Sequence, residues 1–257
     1  MHNAAFAALG LNWRYLAFEV APENLRTAIA SARAMNFAGL NLTVPHKLLA
    51  VDMVDELAAS AKIWGAVNTI KFENGHAIGF NTDADGLAVS LREDLAIELR
   101  GKKVLLLGAG GAGRTAALKL AAEKVAELFL VNRTASKAEE IAGEIKKQFP
   151  AVKVSTGYPP TPVDLLLNAT SLGLKPDDAS PLDEQQFPLR HAAAVYDMIY
   201  RPAATPLLAA AKAAGCRTAN GLGMLLHQGA QAFKIWTSQP APVAVMRRAL
   251  EQNIYGC

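Results

Sequence analysis

The segment Gly108-Ala109-Gly110-Gly111-Ala112-Gly113 constrains this chain more than any other. It follows the apolar run Val104–Leu107 and opens a stretch with helical spacing over residues 112–123. Strand, glycine-rich turn and helix in that order leave few folds open. The pattern then repeats: strands are expected at Leu128–Val131, Lys153–Ser155, Leu165–Leu167 and Ala194–Asp197, with a helix over 135–148 that ends before Pro150. Strands alternating with helices of this length give a parallel, doubly wound sheet, so the fold class is α/β.

Each glycine of the loop has a mechanical reading. Gly108 makes the tight turn, Gly110 lets backbone approach a ligand, and Gly113 lets the helix pack on the strand. The helix start presents free N–H groups and a positive partial charge, which together suit phosphates. In this strand–turn–helix setting the motif points to a dinucleotide. The second strand ends Leu130-Val131-Asn132-Arg133-Thr134, with no Asp or Glu to bond a ribose 2′-hydroxyl. Arg133 offers instead a permanently charged planar fork for a 2′-phosphate, and Lys137 adds charge one turn on. The expected cofactor is therefore NADP(H), held by Gly108, Ala109, Gly110, Gly111, Ala112, Gly113, Asn132, Arg133, Thr134 and Lys137.

Ahead of this unit the pattern differs. Residues 2–9 read as a helix stopped at Gly10, Trp13–Val20 as a strand, and residues 22–35 as a helix with Pro22 in its first turn. Phe37–Val44 reads as a strand and 46–64 as a helix. Val67–Phe80 reads as a hairpin turned at Asn74-Gly75, the pair that best accepts two positive φ angles. A helix follows Asp83. The polar break Arg100-Gly101-Lys102-Lys103 marks a boundary, and helices over Met224–Trp236 and Val243–Asn253 close the chain. The expected division is a substrate domain of residues 1–99 plus 224–257 and a nucleotide domain of residues 100–223, with Gly221 and Gly223 as flexible points between them.

Composition narrows the function. Of 257 residues, 51% are hydrophobic and 19% charged, which suits a core-forming globular chain. A net charge of +3 with no dense Lys/Arg block argues against nucleic acid. Neither a membrane-length apolar run nor a signal-peptide pattern is present, so a cytoplasmic location is expected. The thiols Cys216 and Cys257 are read as one buried and one terminal, not as a disulfide framework, and no metal site is expected.

Polar clusters interrupt the apolar background at Asn41-Leu42-Thr43-Val44-Pro45-His46-Lys47, Ala66-Val67-Asn68-Thr69 and Gly79-Phe80-Asn81-Thr82-Asp83-Ala84-Asp85-Gly86. All three lie at expected strand ends, where α/β sheets hold ligands. Lys47 opens a helix, where its charge opposes the dipole, so helix stability does not explain it. Lys47 and an Asp of the third cluster make an acid/base pair.

These clusters, with Asn132-Arg133-Thr134, Asn168-Ala169-Thr170-Ser171, Tyr196-Asp197-Met198-Ile199-Tyr200 and the segment Gly221–Gln228, resemble the shikimate/quinate dehydrogenase family along essentially the whole chain. The resemblance implies reversible NADPH-dependent reduction of 3-dehydroshikimate to shikimate. It implies Lys47 and Asp83 as the catalytic pair, and Thr43, Asn68, Tyr200 and Gln228 as substrate ligands. It places Thr170, Met198, Gly221 and Met224 beside the cofactor. Quinate or mixed activity, and a nucleotide-binding pseudoenzyme, remain open alternatives. In the family a strand and a loop with two serines, which holds the substrate carboxylate, precede the segment matching Met1-His2-Asn3-Ala4-Ala5-Phe6. The expectation is that both are missing here, leaving a ladder edge exposed and weak work on shikimate. Oligomeric state is not written in the sequence, and a homodimer is the expectation carried forward.

Replacing Arg133 with Ala is expected to raise KM for NADPH about tenfold or more, the worth of a lost charge-assisted bond, and to leave KM for NADH nearly unchanged. Steady-state kinetics with both cofactors checks this, and equal effects would contradict the assignment.

Overall fold

The computed structural model describes residues 1–175 and 177–256, so the expected terminal thiol Cys257 lies outside the described residues. The chain divides into two compact units, Met1–Gly86 with Leu226 onward, and Leu87–Leu225. Both divisions fall inside continuous helices, α5 (Asp83–Leu95) and α9 (Leu222–Thr237). A composition break such as residues 100–103 marks where a helix has already ended, so it differs from where contacts divide the chain.

In chain order the first unit holds α1 (His2–Ala8), α2 (Leu25–Ala34), β1 (Gly39–Asn41), α3 (His46–Leu49), β2 (Glu56–Leu57), α4 (Ala59–Trp64), β3 (Thr69–Glu73) and β4 (His76–Phe80). Its sheet has the order β1-β3-β4-β2. β3 and β4 form the expected hairpin, and Asn74 and Gly75 have φ of 51° and 77°, as a type I′ turn requires. β1 runs antiparallel to β3 and places Asn41 opposite Thr69. α2 buries Leu25, Ile29 and Ala32, one helical face, and Leu25 and Ile29 join Ala50, Ala61, Val67, Ile70 and Ala77 in one core cluster. Gly39 admits no side chain: a Cβ there would stand 2.2 Å from both the Ile70 oxygen and Trp236 Nε1. The indole uses that gap, and Trp236 Nε1 donates to the Ile70 carbonyl at 2.9 Å.

Two expectations fail in this unit. Residues 46–64 are not one helix. Asp55 N donates to the Ala77 oxygen at 2.9 Å and Ala58 N to the Gly79 oxygen at 2.9 Å, so β2 joins β4 in parallel and breaks the helical run into α3, a 3-10 turn and α4. Trp13–Val20 forms no strand, because its backbone joins no ladder of the sheet. Tyr15 is held instead by the Asn3 amide, which donates to the Tyr15 oxygen at 3.0 Å and accepts from Tyr15 N at 2.7 Å. β1 is one of the sheet's two edge strands, β2 being the other.

The second unit holds β5 (Lys103–Leu107), α6 (Gly111–Ala122), β6 (Glu127–Val131), α7 (Ala135–Gln148), β7 (Lys153–Thr156), β8 (Leu165–Asn168), β9 (Ala194–Asp197), α8 (Pro206–Ala213) and β10 (Arg217–Asn220). Its six strands run parallel in the order β10-β9-β8-β5-β6-β7. The order reverses at β5, whose neighbours β6 and β8 lead away on opposite sides, so the loop after β5 opens at the switch point where such sheets bind ligands. The sheet centre is fully apolar, with Leu105, Leu166 and Val195 inaccessible. α8 and β10 have no clear sequence signature beyond Thr205, which caps α8 by accepting from Leu208 N. Gly221 and Gly223 leave no room for a side chain. A Cβ at Gly221 would stand 2.0 Å from the Met198 oxygen, and one at Gly223 2.0 Å from Asp94 Oδ2. Cys216 is buried, as expected.

The last helix, α10 (Val243–Tyr255), packs on α1 in the first unit. Nearby, the His2 ring stacks on Tyr15 at 4.5 Å between centroids and meets Trp236 at 5.3 Å. Burial, with the N-terminal charge second, pushes the His2 pKa down to about 4. The folded state thus refuses a proton that the unfolded chain takes up below about 6.5, so stability present at neutral pH is lost as pH falls from about 6.5 to about 4. The loss from this residue is on the order of 3 kcal/mol. Denaturant melts at pH 7 and pH 4.5 should show that His2→Phe flattens this slope, and equal slopes in both proteins would contradict it.

Candidate active site

The polar cluster expected from the sequence is assembled within the first unit from three strand ends and one helix. Lys47 is the second residue of α3 and Asp83 the first of α5, and Lys47 Nζ lies 2.8 Å from Asp83 Oδ2. Both are largely shielded, with side chains 27% and 14% exposed, so the pair is not a surface ion pair free to dissolve into water. The backbone secures the lysine, whose carbonyl accepts from Val67 N at 2.8 Å.

Asn68, at the end of the loop before β3, is 2% exposed. Its Nδ2 donates to Asp83 Oδ1 and to Thr82 Oγ1, both at 2.9 Å, and lies 3.4 Å from Gln228 Oε1 on α9. Its Oδ1 accepts from Thr82 N at 2.9 Å and from Thr69 Oγ1 at 3.1 Å. Asn81 Oδ1 accepts from Asp83 N at 3.1 Å, which fixes the entry into α5. The structure therefore brings Lys47, Asp83, Asn68 and Gln228 together. Thr43 sits exposed in the loop between β1 and α3, where its carbonyl accepts from His46 N at 2.9 Å. Thr69 and Thr82 belong to the same buried cluster and received no role from the sequence. Their adjacency to Asn68 and Asp83 in the chain was the available signal.

The second unit holds the nucleotide motif. Gly108 has φ of 104°, a conformation that favours glycine. A Cβ at Gly113 would stand 2.1 Å from the Gly108 oxygen, so α6 presses directly onto the loop. Gly110 and Gly111 face open space, and no side chain caps α6 at Gly110. Its first N–H groups are thus left for a ligand, which fits a pyrophosphate. Asn132 ties this loop to the next strand end: its Oδ1 accepts from Ala109 N at 3.0 Å and its Nδ2 donates to the Thr134 oxygen at 2.9 Å. Arg133 follows Asn132 directly and is exposed, as is Lys137 one turn on.

Across the switch point a buried carboxylate organises the neighbouring strand ends. Asp197 accepts from Asn168 Nδ2 at 3.0 Å, Ile199 N at 3.1 Å and Thr205 Oγ1 at 2.6 Å. Burial raises its pKa despite these bonds. Asn168 Oδ1 in turn accepts from Thr170 N at 3.0 Å and Thr170 Oγ1 at 2.8 Å. Met198 meets Gly221 through backbone contact, while Tyr200 is exposed and Met224 half-buried. The sequence marked Asp197 as part of a motif without giving it a task; its task is to hold Asn168, and through it Thr170. Among the described residues no group of three or more His, Cys, Asp or Glu converges as a metal site, and no helix is long and apolar enough to cross a membrane.

Comparison with known proteins agrees with both halves. Residues 1–70 match the shikimate dehydrogenase substrate binding domain, residues 90–158 shikimate / quinate 5-dehydrogenase, and residues 221–251 the shikimate 5′-dehydrogenase C-terminal domain. The chain is 41% identical to the shikimate dehydrogenase (NADP(+)) of Methanopyrus kandleri over 99% of its own length and 90% of that protein's. The match leaves a tenth of that protein's length uncovered. Among solved structures, shikimate 5-dehydrogenase of Thermus thermophilus in complex with NADP(H) and shikimate is similar, with a TM-score of 0.85 and 36% identity over 98% of this chain and 92% of that one. The ligand-free 5-ketofructose reductase of a Gluconobacter species is also similar, with a TM-score of 0.87 and 38% identity over 98% and 91%. With matches of this length and identity joined to an intact lysine–aspartate pair and glycine loop, the chain belongs to the shikimate dehydrogenase family.

Proposed function

We propose that this chain interconverts 3-dehydroshikimate and shikimate, with Lys47 as the proton-transferring residue. The observation that carries the reading is the 2.8 Å contact between Lys47 Nζ and Asp83 Oδ2 beside the buried Asn68 amide. NADP(H), when bound at the glycine loop of the second unit, supplies or accepts the hydride. Reduction of a ring ketone leaves charge on its oxygen, and Lys47 donates the proton that neutralises it. In the oxidative direction Lys47 takes the hydroxyl proton. Asp83 holds the ammonium in one orientation throughout and offers its remaining lone pairs to a neighbouring substrate hydroxyl.

Asn68, Gln228, Thr43 and Tyr200 are assigned to the substrate. The 3.4 Å Asn68–Gln228 contact is the longest that the Asn68 amide makes, so a substrate hydroxyl displaces it at small cost. Shikimate dehydrogenases carry NADP(+) in their names among the relatives, and the absence of an acidic residue at the end of β6 together with Arg133 supports that cofactor here. A related fold that reduces 5-ketofructose, by its name, makes substrate choice a property of the polar cluster and not of the scaffold.

Lys47→Ala is expected to lower kcat by about a hundredfold or more, the range of general acid–base catalysis, with the NADPH dissociation constant unchanged by fluorescence titration. Turnover within tenfold of the unsubstituted enzyme would remove Lys47 from the mechanism.

A further inference from the structure

A series of polar groups in the first unit ends on Asp83, and only its last members take part in the reading above. Tyr15 Oη donates to Asn41 Oδ1 at 3.0 Å. Asn41 Nδ2 donates to the Asn68 carbonyl at 3.2 Å and to Thr69 Oγ1 at 2.9 Å. Thr69 Oγ1 donates to Asn68 Oδ1 at 3.1 Å. Asn68 Nδ2 donates to Asp83 Oδ1 at 2.9 Å, and Asp83 Oδ2 receives Lys47 Nζ at 2.8 Å.

The direction of each bond is forced by its neighbours. A backbone carbonyl has only lone pairs, so the Asn41 atom that faces the Asn68 carbonyl is the amide nitrogen. A backbone N–H only donates, so the Asn68 atom that meets Thr82 N at 2.9 Å is the oxygen. Thr69 has one hydroxyl proton. Because the Asn41 amide donates into that hydroxyl, its proton goes to Asn68 Oδ1 at 3.1 Å, the nearer acceptor, with Thr82 Oγ1 at 3.5 Å. Burial raises the Tyr15 pKa, so the phenol keeps its proton and donates. Thr69 is fully buried, so no water stands in for its hydroxyl if it is removed.

We infer that Thr69 is a positioning residue of the active site, and that Tyr15, Asn41 and Thr69 form a one-way relay that polarises the Asn68 amide toward Asp83 and so fixes the carboxylate that holds Lys47. Hydrogen bonds aligned in one direction strengthen one another, and the effect is largest where water is excluded. No proton moves along the relay; it acts by holding the amide and the carboxylate still. The inference rests on Lys47 and Asp83 being the catalytic pair, which is why the test includes Lys47.

Four variants, Thr69→Val, Thr69→Ser, Tyr15→Phe and the double variant Tyr15→Phe/Thr69→Val, are assayed beside Lys47→Ala for kcat, for KM of shikimate and NADP⁺, and for Tm. The relay predicts that Thr69→Val lowers kcat about tenfold with KM for NADP⁺ unchanged. Thr69→Ser should recover kcat to within about threefold, since it restores the hydroxyl alone. Tyr15→Phe should lower kcat about threefold, and the double variant should equal Thr69→Val, because cutting the relay at Thr69 isolates everything upstream. Should Thr69→Val fail to fold, Tyr15→Phe and Thr69→Ser still decide. Unchanged kcat in Tyr15→Phe, failure of Ser to rescue, or a double variant at the product of the two single effects would each overturn the relay. An inactive Lys47→Ala beside a fully active Thr69→Val would overturn the relay alone. An active Lys47→Ala would overturn the catalytic reading, and the relay with it.

Discussion

A shielded ammonium–carboxylate pair survives only if the lone pairs and protons left over after the contact also find partners. In the first unit both carboxylate oxygens of Asp83 have a partner. Asp83 has one oxygen on Lys47 and the other on Asn68, and its own N–H is taken by Asn81. Asn68 is bonded at both ends of its amide. The surrounding fold follows from these demands: β1 and β3 are paired so that Asn41 lies opposite Thr69, and the hairpin of β3 and β4 brings Asn68 and Thr82 to the same end of the sheet. The Val67 N–H bonded to the Lys47 carbonyl fastens α3 to that same end. Chemistry and architecture meet at one strand boundary, and a change in any of these pairings would cost both.

The second unit solves a different problem, bringing backbone close to an anion. Its means is the absence of side chains. Gly113 lies so close to the Gly108 oxygen that any Cβ would clash, whereas Gly110 and Gly111 have clear space in front of them. The first pair of observations packs the helix, and the second leaves its N-terminus open. Asp197 performs the corresponding service on the other side of the switch point, at the price of a buried charge whose pKa is raised. Its three donors hold the ends of β8 and β9 in fixed relation.

Much of this was legible in the sequence, for local reasons. The glycine loop, the Asn74-Gly75 turn and the helix over 135–148 depend on residues close in the chain, and each formed where expected. Lys47 and an Asp of the third cluster also stood out, because polar residues at strand ends have few purely structural uses, whereas Asp83 in particular, Asn68 and Gln228 were reached through the family resemblance. The losses came where distant backbone decided the outcome. β2 exists because Ala77 and Gly79 bond to it, not because Glu56-Leu57 favours a strand. Trp13–Val20 has strand-forming residues and no ladder to join. α8 and β10 lack strong periodicity, and the close neighbours that leave Gly221 and Gly223 no room for a side chain come from distant segments. The roles of Tyr15, Asn41 and Thr69 were hidden because they depend on a cross-strand register that a single sequence does not print.

The account's central claim is that the polar cluster around Lys47 and Asp83 acts on shikimate with NADP⁺. The most direct measurement is the initial rate of nicotinamide reduction by this chain with shikimate, quinate and fructose, each with NADP⁺ and with NAD⁺. The account predicts the highest kcat/KM for shikimate with NADP⁺. A higher kcat/KM for quinate or fructose, or for NAD⁺ over NADP⁺, would contradict it.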